Sequence, residues 1–240
     1  MIDLHNHIIP AVDDGCASLD ESLMLARIFR DNGYRALCAT PHIRQGMFDN
    51  SEEALKAAGQ ALAAEIAGSG IGIDFRFAAE YYFDERLLAA LDRPENLLTL
   101  DPRGRYILIE FSYQRAPLRL KEFVFQLSLK GLRMVMAHPE RYDWIANDFE
   151  FAADLAAMGA VMQGTLSSLA GEMGSRPSRT LKAMLRNDLI HIIASDCHGP
   201  DSAIRMLENS LKTLKKETNA ETAEILLEKN PAIIYEGRSL

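Results

Sequence analysis

The chain alternates between two textures, and five of its six histidines stand where one gives way to the other. Short apolar, β-favouring runs occur at Ile2–Leu4, Arg35–Ala39, Ile73–Ala79, Tyr106–Phe111, Leu132–Ala137, Ala160–Gln163 and Leu189–Ala194. Between most of them lie longer stretches of helical periodicity. Such βα alternation points to a mainly parallel sheet with crossover helices. The boundaries carry their own chemistry. Ser18-Leu19-Asp20-Glu21 is a capping box, opening a helix that runs to about Asn32-Gly33. Ser51 starts an alanine-rich helix ending near Gly68, and Asp84 caps a short one through Leu91. Leu118–Lys130, Phe149–Met158, Arg179–Arg186 and Ser202–Lys215 also read as helical, and Ala220–Glu228 as a last helix stopped at Asn230-Pro231. Gly33, Gly131 and Gly159 sit where C′ glycines end helices. With 240 residues, 48% of them hydrophobic, and no linker or internal repeat, residues 1–240 form one domain.

The polar residues decide whether the sheet is open or closed. An open doubly wound sheet gathers its site at one switch point, whereas a barrel draws on many strand ends. Here the first run leads to His5 and His7, the second to His42, the third to Glu80, the fourth to Glu110, the fifth to His138 and the seventh to Asp196 and His198. Gln163 closes the sixth. The expectation is a seven-stranded βα barrel with its site on the C-terminal face.

These residues suit metal ions. His5 and His7, spaced i, i+2, point the same way on an extended strand, and Asp196-Cys197-His198 repeats the spacing. Glu80 and Glu110 end apolar runs, where a carboxylate needs a cation or a solvated cleft. With Asp14, His42 and His138 the set is five imidazoles and four carboxylates, too many for one ion, so two or three are expected. Mixed nitrogen and oxygen donors favour Mn²⁺, Fe²⁺ or Zn²⁺ over Ca²⁺ or Mg²⁺. Three divalent ions over four carboxylates leave a positive, water-activating site of the kind phosphoester hydrolysis uses. His191 lies inside its run and reads as a packed residue.

Composition excludes other classes. A net charge of −8 argues against a general nucleic-acid binder. No apolar run approaches the roughly 20 residues that cross a bilayer, and no basic-then-apolar leader opens the chain. Cys16, Cys38 and Cys197, few and far apart, read as reduced thiols of a cytoplasmic protein.

The segments Asp3-Leu4-His5-Asn6-His7, Asp13-Asp14-Gly15, Ala39-Thr40-Pro41-His42, Ala79-Glu80-Tyr81-Tyr82, Ile109-Glu110-Phe111, Ala137-His138-Pro139-Glu140-Arg141-Tyr142 and Ala194-Ser195-Asp196-Cys197-His198-Gly199 resemble the PHP superfamily of metallophosphoesterases. More narrowly, they look like its manganese-dependent bacterial protein-tyrosine phosphatases of the capsule and exopolysaccharide type. The resemblance implies a distorted seven-stranded βα barrel, the PHP fold, with a trinuclear site. One ion would take His5, His7, Glu80 and Asp196; a second Glu80, Glu110 and His138; a third Asp14, His42 and His198. In histidinol phosphatases and polymerase PHP domains a histidine commonly stands where Asp14 and Glu110 do. The implied reaction is attack of a metal-bridging hydroxide on phosphotyrosine, carried by the tail of a bacterial tyrosine autokinase. Arg141 is the first candidate for a phosphate clamp, since a guanidinium can grip two phosphate oxygens. The family's second arginine follows the last histidine by about five residues. That position is Ala203 here, which leaves Arg205 as the nearest candidate.

Three rivals stand beside this reading. Cys38 through Arg44 matches the Cys-x5-Arg signature of cysteine-dependent phosphatases, but the loop has no glycine and Pro41 removes a backbone donor. A PHP-type enzyme for a small phosphate monoester, such as histidinol phosphate or a nucleotide-like ester, would use the same metal set. A non-catalytic metal-binding module is disfavoured by the completeness of that set.

Overall fold

The computed structural model describes residues 1–240 and bears out the parallel α/β architecture. The expected seven strands appear as nine. They are β1 (Ile2–Asp3), β2 (Ala36–Ala39), β3 (His42–Ile43), β4 (Asp74–Phe77), β5 (Glu80–Tyr82), β6 (Tyr106–Glu110), β7 (Arg133–Ala137), β8 (Val161–Thr165) and β9 (Ile192–Ala194). All pairings are parallel, in two sheets of order β1-β2-β4 and β3-β5-β6-β7-β8-β9. The extra two strands arise because the second and third are each interrupted. Pro41 offers no donor between β2 and β3, and between β4 and β5 the Ala79 amide turns aside to Leu98 O. The ladder resumes through Ala78 N to Ala39 O and Glu80 N to Pro41 O.

At the other seam the chain beyond β1 meets the chain beyond β9. Asp196 N donates to His5 O at 2.8 Å and His7 N to Cys197 O at 2.9 Å, while Thr40 N reaches Asn6 O. Seven strand positions thus follow one another as a ring, with regular ladders over part of it and single bonds at the seam. The ligand-bearing segments after β1 and β9 are the ones that close it.

Two buried clusters occupy the two faces of the strands. Ile2, Leu4, Ala36, Cys38, Leu108, Val135, Val161 and Ile192 fill the interior, closed at one end by Ala232, Ile234 and Tyr235. Leu37, Ile107, Ile109, Met134, Met136 and Ile193 face the surrounding helices. Burial on both faces explains why the runs are continuously apolar. The interior period of two also carries Ala78 to Glu80, Leu108 to Glu110 and Val161 to Gln163, so polar side chains take over where the apolar filling ends. His138 is out of phase with Val135 and Ala137; a left-handed backbone (φ 35°) accompanies its turn into the mouth. Such a conformation costs a non-glycine residue about 1–3 kcal/mol and marks a place where position matters more than comfort.

The helices are α1 (Leu19–Asp31), α2 (Glu52–Gly68), α3 (Glu85–Ala90), α4 (Leu120–Leu129), α5 (Asp143–Ala146), α6 (Phe149–Ala157), α7 (Leu166–Ala170), α8 (Ser175–Arg186), α9 (Pro200–Glu217), α10 (Ala220–Glu224) and α11 (Asn230–Tyr235). The Ser18, Ser51 and Asp84 side chains accept from the backbone N–H three residues on, as their caps predict. Glu21 completes the first box by accepting from Ala17 N instead of Ser18 N. Gly33, Gly131 and Gly159 have positive φ after α1, α4 and α6. One expectation fails. Asn230-Pro231 does not stop the last helix, because a wider π-turn at Ile225–Lys229 precedes the proline and the helix continues as α11.

Helix α2 lies against β4 through Gly59. A Cβ there would stand 2.4 Å from the Phe77 ring. Alanine is a better helix former than glycine by about 1 kcal/mol. Overpacking against a ring costs about 1–3 kcal/mol, toward the upper end for so short an approach. Gly59→Ala should therefore lose about 1–2 kcal/mol in a urea titration, and a gain in stability would contradict this packing.

Candidate metal centre

Four buried donor atoms converge at the mouth. His5 Nε2 lies 3.3 Å from His7 Nε2, 3.2 Å from Glu80 Oε2 and 3.2 Å from Asp196 Oδ1. His7 Nε2 lies 3.5 Å from Glu80 Oε2 and 3.3 Å from Asp196 Oδ1. Their tautomers are fixed from behind. His5 Nδ1 faces Gln163 Oε1 at 2.7 Å, and His7 Nδ1 faces Asp13 Oδ2 at 2.7 Å. Both partners can only accept, so each Nδ1 carries the hydrogen and each neutral imidazole turns its Nε2 lone pair inward. In that neutral form two lone pairs and two carboxylates face one another. Donors bonded tetrahedrally at about 2.0–2.1 Å to one ion sit about 3.3–3.4 Å apart. Each imidazole nitrogen lies near that spacing from the other and from both carboxylate oxygens, so the residues fit a divalent ion.

Further donors extend the cluster. His42 Nδ1 is 3.0 Å and His138 Nε2 3.1 Å from the two oxygens of Glu80, and His138 Nε2 is 3.9 Å from Glu110 Oε1. Glu110 Oε2 is buried with no hydrogen-bond donor, and Glu80 Oε2 faces only imidazole nitrogens; a cation would serve both. Asp14 Oδ1 faces His198 Nε2 at 3.5 Å and His42 Nε2 at 3.7 Å. The donors fall into three overlapping groups: His5, His7 and Asp196; His42, Glu80 and Glu110; and His7, Asp14, His42 and His198. All nine sequence candidates meet here. His7 and His42 each span two groups instead of belonging to one.

In the metal-free protein, protons take the place of cations. Burial opposes a charge on His5, but Glu80 and Asp196 overcome it and push its pKa up to about 10. Burial likewise opposes charge on His42, yet Glu80 raises it to about 9. The carboxylates shift in the complementary direction. Burial would raise Glu80 and Asp196, but the imidazoles, and Arg141 for Asp196, hold both well below the usual range. Asp13, despite burial, is lowered to about 2 by His7 and by the backbone N–H groups of His42 and Gly15. Asp3 is different. Burial raises it to about 6, and it accepts from Ser195 N, Ser195 Oγ and Asn6 Nδ2, tying together the two segments that close the ring.

Sequence alone missed several contributors. Asp13 and Gln163 orient the two histidines, and Tyr113 Oη donates to Glu110 Oε1 at 3.0 Å. Asp13 has a signal in the sequence, since Asp-Asp-Gly offers a second carboxylate beside the expected ligand Asp14. Arg141 is nearly buried and donates through Nη2 to Asp196 Oδ2, Ser167 Oγ and Thr165 Oγ1. Its ion pair is with Asp196, not the adjacent Glu140, and it lines the cleft of about 370 Å³ above the cluster. Arg205 is not brought there. It is 64% exposed on α9, near Glu172, and borders a separate surface hollow beside His198. His191 Nδ1 accepts from Met162 N between β8 and β9, a packing role as expected. Cys38 is sealed in the barrel interior, where burial pushes its thiol up. That leaves no thiolate for the cysteine-phosphatase reading.

A parallel βα ring whose strand ends converge on imidazoles and carboxylates defines the scaffold and site of a metal-dependent hydrolase. The capsular polysaccharide synthesis family CpsB/CapC matches residues 1–236, and the chain belongs to it. It is 32% identical to the tyrosine-protein phosphatase YwqE of Bacillus subtilis, over 95% of this chain and 89% of that protein. It is also 32% identical to the tyrosine-protein phosphatase CpsB of Streptococcus pneumoniae, over 96% of each. A crystal structure from work on YwqE and CpsB, described as unique metal-dependent tyrosine phosphatases, superposes with a TM-score of 0.89 at 30% identity, covering 100% of this chain and 96% of that one. A lactonase from Listeria monocytogenes, at TM-score 0.59 and 12% identity, shares the fold alone.

Two outcomes follow. Asp13→Ala or Gln163→Ala should weaken metal affinity about 10- to 100-fold by freeing a ligand's tautomer and orientation; unchanged affinity in a calorimetric titration would contradict that role. Metal uptake near pH 7 should also release protons, because an imidazole protonated up to about pH 10 must become neutral to bind. Affinity then rises with pH across that range. Titration in buffers of different ionisation enthalpy reads the release directly, and zero protons released would contradict the scheme.

Proposed function

We propose that this protein is a metal-dependent protein-tyrosine phosphatase acting in capsule or exopolysaccharide synthesis. The observation that carries the reading is the convergence of His5, His7, Glu80 and Asp196 donors in a chain of the CpsB/CapC family. Its relatives' names supply the substrate class, phosphotyrosine. Two or three divalent ions, manganese first, would be held by His5, His7, Glu80 and Asp196, by Glu80, Glu110 and His138, and by Asp14, His42 and His198. When bound, such ions lower the pKa of water and neutralise charge on phosphoryl oxygens.

The remaining work belongs to the chain. Asp13 and Gln163 hold His7 and His5 in register. Asp196 fixes Arg141, whose side chain lines the cleft where the phosphate would sit. Met47, Tyr113 and Met173 give the cleft apolar walls beside the polar floor, suited to a phenyl ring above a phosphate. The physiological substrate we assign is the phosphotyrosine-bearing tail of a bacterial tyrosine kinase, met in the cytoplasm. No helix is long and apolar enough to cross a membrane.

The test is a comparison of kcat/KM on phosphotyrosine peptides, phosphoserine peptides and small phosphate esters with manganese-loaded enzyme. Phosphotyrosine should be preferred, chelator should abolish turnover, and Cys38→Ser should retain it. Preference for a small metabolite would sink the tyrosine-phosphatase reading while leaving the centre intact. Arg141→Ala should lower kcat/KM by about 10- to 100-fold, the value of charge-assisted hydrogen bonds; a change below about threefold on this scale would remove it from the phosphate site.

A further inference from the structure

We propose that Arg44 is a second phosphate-binding residue of the cleft, gripping oxygens of the phosphoryl group together with Arg141. This rests on the phosphoester-hydrolase reading above. Arg44 follows β3 at i+2 from His42, so an extended backbone sends both side chains to the same side while Ile43 enters the core. The segment is fixed. Arg44 and Phe48 exchange backbone hydrogen bonds at 3.0 and 2.9 Å across a tight turn, Gly46 supplies a positive φ, and Phe48 stacks on the His42 ring. The guanidinium is fixed too, lying 4.1 Å from the centre of the Tyr82 ring.

What it lacks is a hydrogen-bond partner. Its closest carboxylate oxygen, Glu110 Oε2, is 3.7 Å away, beyond hydrogen-bond reach. Glu110 Oε2 itself has no donor. If Glu110 serves a metal ion, the attraction that holds Arg44 toward it weakens further and the fork is left to an incoming anion. Arg44 and Arg141 are the two guanidinium side chains that line this cleft, and Arg141 already spends Nη2 on Asp196, Ser167 and Thr165. A planar guanidinium, held by an aromatic face and carrying unspent donors, matches the geometry of phosphate oxygens. Arg205, exposed on α9 and outside the cleft, has no comparable placement.

The test uses manganese-loaded wild type, Arg44→Ala, Arg44→Lys and Arg205→Ala. Each is measured for manganese content, for calorimetric binding of inorganic phosphate, and for kcat and KM on a phosphotyrosine peptide. Arg44→Ala should keep its manganese but bind phosphate about 10- to 100-fold more weakly, with Arg44→Lys recovering part of the loss. Unchanged phosphate affinity in Arg44→Ala would overturn the proposal. So would loss of manganese from that variant, which would make Arg44 a support for Glu110. A larger loss of phosphate affinity in Arg205→Ala would overturn it in favour of the α9 residue. Wild type that binds phosphate through Arg44 yet turns over no phosphotyrosine would sink the tyrosine-phosphatase reading alone.

Discussion

Everything at the mouth of this barrel depends on one confrontation. Two imidazole nitrogens lie within 3.5 Å of each other and of two carboxylates, out of water, backed by Gln163, Asp13 and Arg141. Unpaired buried charge of this kind is costly, and the cost is offset only by something positive at the centre. Protons serve when metal is absent, which is why His5 and His42 are raised so far. Divalent ions serve better, because each can meet several donors at once.

The fold serves that convergence. The segments that close the ring, after β1 and after β9, are the ones bearing His5, His7, Asp196 and His198. Their mutual hydrogen bonds, reinforced by Asp3, mean that ring closure and ligand placement are a single event. The interruptions of the second and third strands have a similar consequence. Pro41 and the diverted Ala79 amide interrupt the two strands without changing their register, and β3 and β5 present His42 and Glu80 side by side. Regularity is given up where the ligands need it.

Much of this was legible in the residues. Continuous apolar runs announce strands buried on both faces, capping side chains and C′ glycines mark the helix ends, and eight of the nine ligand candidates stand at run ends, with Asp14 in the Asp-Asp-Gly segment. The illegible parts depend on direction and on distant partners. The π-turn that lets the last helix pass Pro231 has no sequence signature. Arg205 looked close to His198 in sequence, yet α9 begins at Pro200 and turns it to solvent. Arg44 stands in a Cys-x5-Arg match that the structure rejects, while its i+2 relation to His42 places it on the cleft. Gln163 was noted as the sixth strand end without a role, because its partner is 158 residues away.

The most direct measurement is anomalous diffraction at the manganese edge from crystals of the manganese-loaded protein. The account predicts two or three peaks, one of them enclosed by His5, His7, Glu80 and Asp196. A single peak elsewhere, or none within the nine-residue cluster in a protein that retains manganese in solution, would contradict it.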